Sequence, residues 1–301
     1  MDITRRPTMR LPSHLLLILS LLISATSMTT TTTKANRPPP RTSPTIAQLA
    51  DRALNLAAAA AATDGRKREG LRRQVFIGIA GGPGSGKTTL SELVCDEINL
   101  RNKKKGSGDD VAVVVPTDGY HIPKATLKEM AERGFSNPDD DDDATTGEAL
   151  SYKKIMARRG APWTFDSKAL CDDLKAAKAR GEGQFPIYDR TISDPVPDGV
   201  RLTTRHRIVL CEGLYVLALD TDEYGPLGEV LDERWFVDVP EEVLRERIVG
   251  RSLKTWSDQK RRLFGEGREG ALRKFETNDL KNVRWIVRHS RNHADLLIQN
   301  D

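Results

Sequence analysis

Along this chain of 301 residues the apolar positions follow two rhythms. Ile46, Leu49, Ala50, Ala53, Leu54 and Ala57 recur at helical spacing, and the alanine run to Ala62 ends at Asp64-Gly65, a helix stop. Five short β-rich runs follow, at 75–80, 111–115, 208–211, 235–239 and 296–298. They are apolar on both faces, and amphipathic helical patterns separate them. Such strands predict an α/β fold, a parallel sheet covered by helices on both sides.

The first 44 residues stand apart. Arg5, Arg6 and Arg10 precede an apolar run at 15–23 and the small-residue patch Ser24-Ala25-Thr26-Ser27. This is the layout of a secretory signal peptide, with a run too short to span a bilayer. An Arg-rich mitochondrial presequence, or an unused extension before a start at Met28, fits equally. Residues 29–44 read as a Thr, Pro and Arg linker. The expected organisation is an N-terminal extension over 1–44 and one domain over 45–301. The charged stretches 101–110 and 135–147, the latter holding the acidic run 139–143, read as solvated insertions.

A hydrophobic content of 38% with 30% charged residues describes a soluble globular body and excludes a collagen or a multispan membrane protein. The three cysteines, Cys95, Cys171 and Cys211, are scattered, with no CxxC pair. They read as small core residues in a reducing, cytoplasmic compartment, with mitochondrial import or secretion through 1–28 as the alternatives. The net charge of +4 invites a search for an anionic partner. Residues 1–41 hold six basic residues and one acid, which leaves 41 basic and 42 acidic residues in the remainder. The body is therefore about neutral, and neither a nucleic-acid partner nor a stable membrane span is expected.

The run at 75–80 leads directly into Gly81-Gly82-Pro83-Gly84-Ser85-Gly86-Lys87-Thr88-Thr89, and a helical pattern opens at Leu90. This is GxxxxGK[ST] in the strand, loop and helix context that the motif requires. Glycines let backbone N–H groups converge on a phosphate, and the helix adds its positive end. Lys87 can reach the β- and γ-phosphates of ATP, and the Thr88 hydroxyl can ligate Mg²⁺. The glycines do not fall as GxGxxG, so a dinucleotide fold is excluded.

Two other runs end in carboxylates. Asp118 follows the second run within Thr117-Asp118-Gly119-Tyr120-His121. It could take a proton from an attacking hydroxyl, or could be a turn aspartate bonding its own backbone. Glu212 closes the third run, where it could serve the metal or form a surface salt bridge.

These motifs, with Arg-Gly-Ala-Pro-Trp-Thr-Phe-Asp at 159–166, Pro-Ile-Tyr-Asp-Arg at 186–190 and Cys-Glu-Gly-Leu-Tyr at 211–215, resemble the P-loop kinases grouped as uridine kinase, phosphoribulokinase and pantothenate kinase. The resemblance covers roughly residues 74 to 299, in order. It implies a P-loop NTPase three-layer sandwich with a five-stranded parallel sheet and a small helical lid. It also implies ATP-dependent phosphorylation of a small-molecule hydroxyl on a nucleoside-, sugar- or vitamin-like acceptor. By resemblance Asp118 is the base, and Tyr120, His121, Asp166, Tyr188, Asp189 and Arg190 are substrate-side. Arg247 and Arg251 would be lid arginines that stabilise transfer charge.

Each has a plainer reading: Tyr120 and His121 as packing, Asp166 as a helix N-cap, Arg190 as a surface ion pair, the lid arginines as a solvated face. Asn278, Asp279 and Asn282 match a family pattern with no role evident from their chemistry. No diagnostic for uridine, pantothenate or ribulose 5-phosphate is present, so the acceptor stays open. The alternative reading is a regulatory or assembly ATPase with no acceptor.

Overall fold

The computed structural model describes residues 41–63, 73–106, 108–136 and 149–300. The run at 15–23, Met28, the linker as far as residue 40, the Asp64-Gly65 stop and the acidic run 139–143 lie outside the described residues.

The central sheet is parallel. In chain order its strands are β1 (Arg41–Thr42), β2 (Val75–Ala80), β3 (Ala112–Pro116), β6 (Ile208–Gly213), β7 (Glu233–Asp238) and β8 (Leu296–Gln299), arranged in space as β1-β8-β7-β2-β6-β3. The five expected strands are β2, β3, β6, β7 and β8. The short sixth, β1, lies inside the stretch expected to be linker, where Arg41 and Thr42 pair with Leu297 and Ile298. The sheet therefore takes in the last part of that segment. Polar Thr and Arg gave no apolar signal for it, because an edge strand needs only backbone partners.

Every residue of β2 and of β6 is buried, as strands covered on both faces require. Alternation along each strand divides the core in two. Phe76, Val209, Cys211 and Phe236 face one side, where they meet Leu170 and Leu174 of the helix Ser167–Arg180. Ile77, Leu210, Trp235 and Val237 face the other, against Leu49 and Ala53 of the helix Ile46–Thr63, Val94 and Ile98 of Lys87–Lys104, and Ile248 of Glu241–Lys254. This is a three-layer α/β sandwich. All three cysteines are buried and free. Among the described residues no helix is long and apolar enough to cross a membrane.

One element has no counterpart in the apolar pattern. β4 (Gly183–Asp189) and β5 (Asp194–Leu202) form an antiparallel hairpin beside the sheet, with an irregular register between Phe185 and Ile187. Pro186, Pro195 and Pro197 interrupt its sequence, and such prolines argue against a regular strand. The hairpin packs on the 3-10 turn Thr117–Tyr120 that follows β3. A Cβ on Gly119 would lie 2.1 Å from the Pro186 carbonyl oxygen, so only glycine admits the hairpin there.

Gly119→Ala is therefore expected to destabilise the protein at the upper end of the range of about 1–3 kcal/mol for overpacking. Thermal unfolding measures this, and an unchanged midpoint would contradict the packing.

Candidate active site

In a parallel sheet the carboxyl ends of all the strands meet at one edge, and the functional side chains gather there. The glycine-rich loop leaves β2, and its helix begins at Lys87, earlier than the apolar pattern places it. Gly86 precedes that helix with φ 88°, and a Cβ there would lie 2.5 Å from Asn300 Nδ2. Asn300, just beyond β8, donates through Nδ2 to the Ser85 carbonyl at 2.7 Å. Its own carbonyl accepts from Arg247 Nη1 at 3.0 Å. The loop, the end of the last strand and a lid arginine are thus tied through Asn300, which belongs to none of the motifs.

A cleft of about 690 Å³ opens at this edge. Among the sequence-predicted residues it is lined by Pro83, Gly84, Gly86, Lys87, Thr88, Thr89, Asp118, His121, Tyr188, Arg190, Arg247 and Arg251. Gly81, Gly82 and Ser85 complete the loop behind this lining, and Ser85 is fully buried. Lys87 is only 8% exposed. The Thr88 hydroxyl donates to Glu212 Oε1 at 3.2 Å.

Glu212 is 2% exposed, and among the described residues its Oε2 has no hydrogen-bond partner. Burial raises the pKa of its carboxyl, and Asp118 adds to the rise, while the charge of Lys87 and the Thr88 bond offset part of it. A buried carboxylate oxygen without a donor is costly unless a cation or water completes it. Among the described residues no cluster of three acids, histidines or cysteines offers a metal cage. The donor set therefore fits Mg²⁺, which keeps waters and draws on one or two carboxylates plus substrate phosphates. The surface salt-bridge alternative for Glu212 does not hold, because the residue is buried.

Asp118 sits in the 3-10 turn after β3, partly exposed. Among the described residues its carboxylate has no hydrogen-bond or ion-pair partner, so it does not spend itself on its own turn. Its backbone carbonyl accepts from the His121 backbone N–H at 3.2 Å and lies 2.7 Å from His121 Nδ1. The His121 ring lies between Phe165 and Tyr188, with centroids at 4.0 and 4.7 Å. Burial lowers its pKa, against the raising effect of Asp118.

Three predicted substrate residues are engaged away from the cleft. Tyr120 is buried in the core and donates to Asp173 Oδ2 at 2.8 Å, and burial pushes its pKa up. Asp166 caps the helix Ser167–Arg180 by accepting from the Ala169 N–H at 2.9 Å. Asp189 accepts from both the N–H and the hydroxyl of Thr191, at 2.7 and 2.6 Å, and closes the hairpin turn. None of the three lines the cleft, and each holds the plainer role of packing, N-cap or turn.

The cleft also holds residues that the sequence reading did not place there. Lys260, Lys274, Leu263 and Phe264 come from the helices Asp258–Phe264 and Gly267–Lys274, which together with Glu241–Lys254 form the helical lid. Burial lowers the Lys260 pKa, and the charges of Lys274 and Arg251 lower it further. The Asn-Asp-x-x-Asn pattern now has a role. Asn278 Nδ2 donates to the Arg159 carbonyl at 3.4 Å, Asn282 Nδ2 donates to the Gly160 carbonyl at 3.1 Å, and Asp279 pairs with Lys274 at 2.6 Å. A π-helical turn over Phe275–Asp279 presents Asn278 and Asp279, and Asn282 lies on the helix Leu280–Ser290 that follows. No spacing rule for a regular helix would have found them.

No protein-family model matches the chain. The chain is 30% identical over 228 residues to an uncharacterised protein of Escherichia coli, YggC, covering 76% of this chain and 78% of that one. It is 28% identical over 220 residues to a Schizosaccharomyces pombe protein offered by its name as a uridine kinase, covering 72% of this chain and 80% of the other. The crystal structure of YFH7 from Saccharomyces cerevisiae, described as a P-loop kinase with a circular permutation, superposes with a TM-score of 0.64 at 20% identity. It covers 86% of this chain and 100% of that one, a likeness of fold. The fold is that of a P-loop kinase, a phosphotransferase that uses ATP. The chain belongs to the family that groups uridine kinase, phosphoribulokinase and pantothenate kinase.

The raised Glu212 pKa has a sign that can be measured. Ionising a carboxyl whose folded pKa exceeds its unfolded value of about 4.3 opposes folding. The stability tied to Glu212 is therefore full below that value and is lost as pH rises through the folded pKa. Ligand-free Glu212→Gln should melt above the wild type near neutral pH, with the gap closing in acid. Adding Mg²⁺ and ATP should stabilise the wild type more than the variant. A Gln variant that melts lower at neutral pH without ligand would contradict the assignment.

Proposed function

We propose that this small-molecule kinase transfers the γ-phosphoryl group of ATP to an acceptor hydroxyl, with Asp118 as general base. The observation that carries the reading is the Asp118 carboxylate, unpartnered among the described residues, which lines the same cleft as Lys87 and Thr88. Asp118 would accept the hydroxyl proton as the oxygen attacks, a role a free carboxylate at that place can fill.

The loop N–H groups and Lys87 would cradle the phosphates. Thr88 and Glu212 would hold Mg²⁺, which neutralises phosphate charge when bound. Arg247 and Arg251 would close over the transferring group and stabilise its charge, with Lys260 and Lys274 adding to the same field. His121, Tyr188 and Arg190 would form the acceptor wall. Burial lowers the His121 pKa and its ring sits between two tilted aromatic rings, so it would shape that wall rather than carry charge.

Asp118→Asn keeps the shape and removes the base. Acceptor-dependent ADP release, measured across nucleosides, sugars and vitamins, should fall by about 10²- to 10⁴-fold. Turnover equal to wild type would overturn the assignment. Lys87→Met should weaken ATP binding in calorimetry, and unaltered affinity would count against the phosphate cradle.

A further inference from the structure

One buried cation has no part in the scheme above. Arg159 lines the cleft from the segment after the helix Tyr152–Ala157, and its side chain is only 10% exposed. Nη2 pairs with Asp194 Oδ1 at 2.8 Å, and the guanidinium carbon lies 5.8 Å from the centre of the Tyr188 ring. Among the described residues Nε and Nη1 are buried and make no hydrogen bond, while the Tyr188 hydroxyl interacts with the same guanidinium. Asp194 does not belong to Arg159 alone, since it also accepts from the Lys124 N–H at 3.1 Å.

A guanidinium offers five donors, and burying it with most of them unmatched is unfavourable without an anion to meet it. Its backbone is also held in place. The Arg159 and Gly160 carbonyls accept from Asn278 and Asn282, the Gly160 carbonyl accepts from the Tyr215 hydroxyl as well, and Arg158 Nη1 donates to Asn278 Oδ1 at 2.6 Å. A charged group fixed in this way is preorganised for a ligand.

The location assigns that ligand to the acceptor. The nucleotide phosphates are served by the glycine-rich loop and the three lid helices. Arg159 comes from a different part of the chain, and so does Arg190 at the hairpin tip, an exposed cleft residue that forms no ion pair among the described residues. Building on the kinase reading, we infer that Arg159 is a specificity residue that receives an oxyanion of the acceptor. The substrate is then a hydroxy acid or a phosphorylated hydroxy compound, not an uncharged nucleoside or sugar. Asn278 and Asn282 act through the loop at 158–160 as positioning residues.

The test assays the full chain with Mg²⁺ and ATP on matched acceptors: D-glycerate against glycerol, pantothenate against pantothenol, ribose 5-phosphate against ribose, and uridine. Charged members should be preferred, and the carboxylate and phosphate arms identify which oxyanion is bound. Arg159→Met should raise KM for the preferred charged acceptor by about 10- to 100-fold, with a smaller change in kcat. Arg159→Lys, which keeps the charge and loses the fork, should recover part of the loss. Arg190→Gln, on an exposed turn where folding is not at stake, should raise the same KM more modestly.

Turnover confined to uncharged members overturns the inference and leaves the kinase reading standing. An equal KM rise for charged and uncharged members in Arg159→Met also overturns it, as the mark of a merely structural arginine. Turnover of no acceptor removes the kinase reading and the inference with it.

Discussion

The cleft depends on the register of three parallel strands. Glu212 of β6 stands level with Ile79 of β2 on one side and Pro116 of β3 on the other. The residues one and two steps beyond that row begin the glycine-rich loop and the turn that carries Asp118. A slip of one residue would reverse every side chain of the moved strand between the two faces. The full burial of β2 and β6 makes such a slip costly, because apolar side chains on both faces are already matched to their helices. Core packing on both faces thus sets the relative positions of Glu212, Lys87 and Asp118, and Gly119 lets the hairpin close against the turn.

Charge is distributed unevenly over this frame. The chain beyond residue 41 is about neutral, yet Lys87, Arg247, Arg251, Lys260 and Lys274 line one cleft. Burial lowers the Lys260 pKa, and the neighbouring charges of Lys274 and Arg251 lower it further. On the proposed reading a polyphosphate would meet these cations, and Mg²⁺ would complete the buried carboxylate of Glu212. On the proposed reading, a cleft lined in this way would gain more from a bound nucleotide than from water, which would favour a closed lid on ATP. Electrostatics of this kind concentrates anion binding at one place and does not make the whole surface sticky for polyanions.

Much of this was legible in the sequence, for physical reasons. Strands covered on both faces leave uninterrupted apolar runs, and the phosphate loop needs glycines in a fixed pattern, so the sheet, Lys87, Thr88 and Glu212 could be placed from residue type alone. Asp118 could be placed after β3, but only the structure showed that its carboxylate is not used by its own turn. Tyr120, Asp166 and Asp189 sit in suggestive motifs, and each is claimed by a bond within a few residues or by the core, which a motif does not reveal. The hairpin was hidden by its prolines, and β1 by its shortness. Asn278 and Asn282 match a family pattern, but they bond the Arg159 and Gly160 carbonyls, and Asn300 the Ser85 carbonyl, across more than a hundred residues of chain, so their partners could not be read from local spacing.

The central claim is that this cleft delivers the terminal phosphoryl group of ATP to an organic hydroxyl and not to water. The direct measurement follows label from γ-labelled ATP in the presence and absence of acceptor. The account predicts label in an acid-stable organic phosphoester that forms only with acceptor, with little inorganic phosphate. Release of the label as inorganic phosphate at the same rate with and without every acceptor would contradict it.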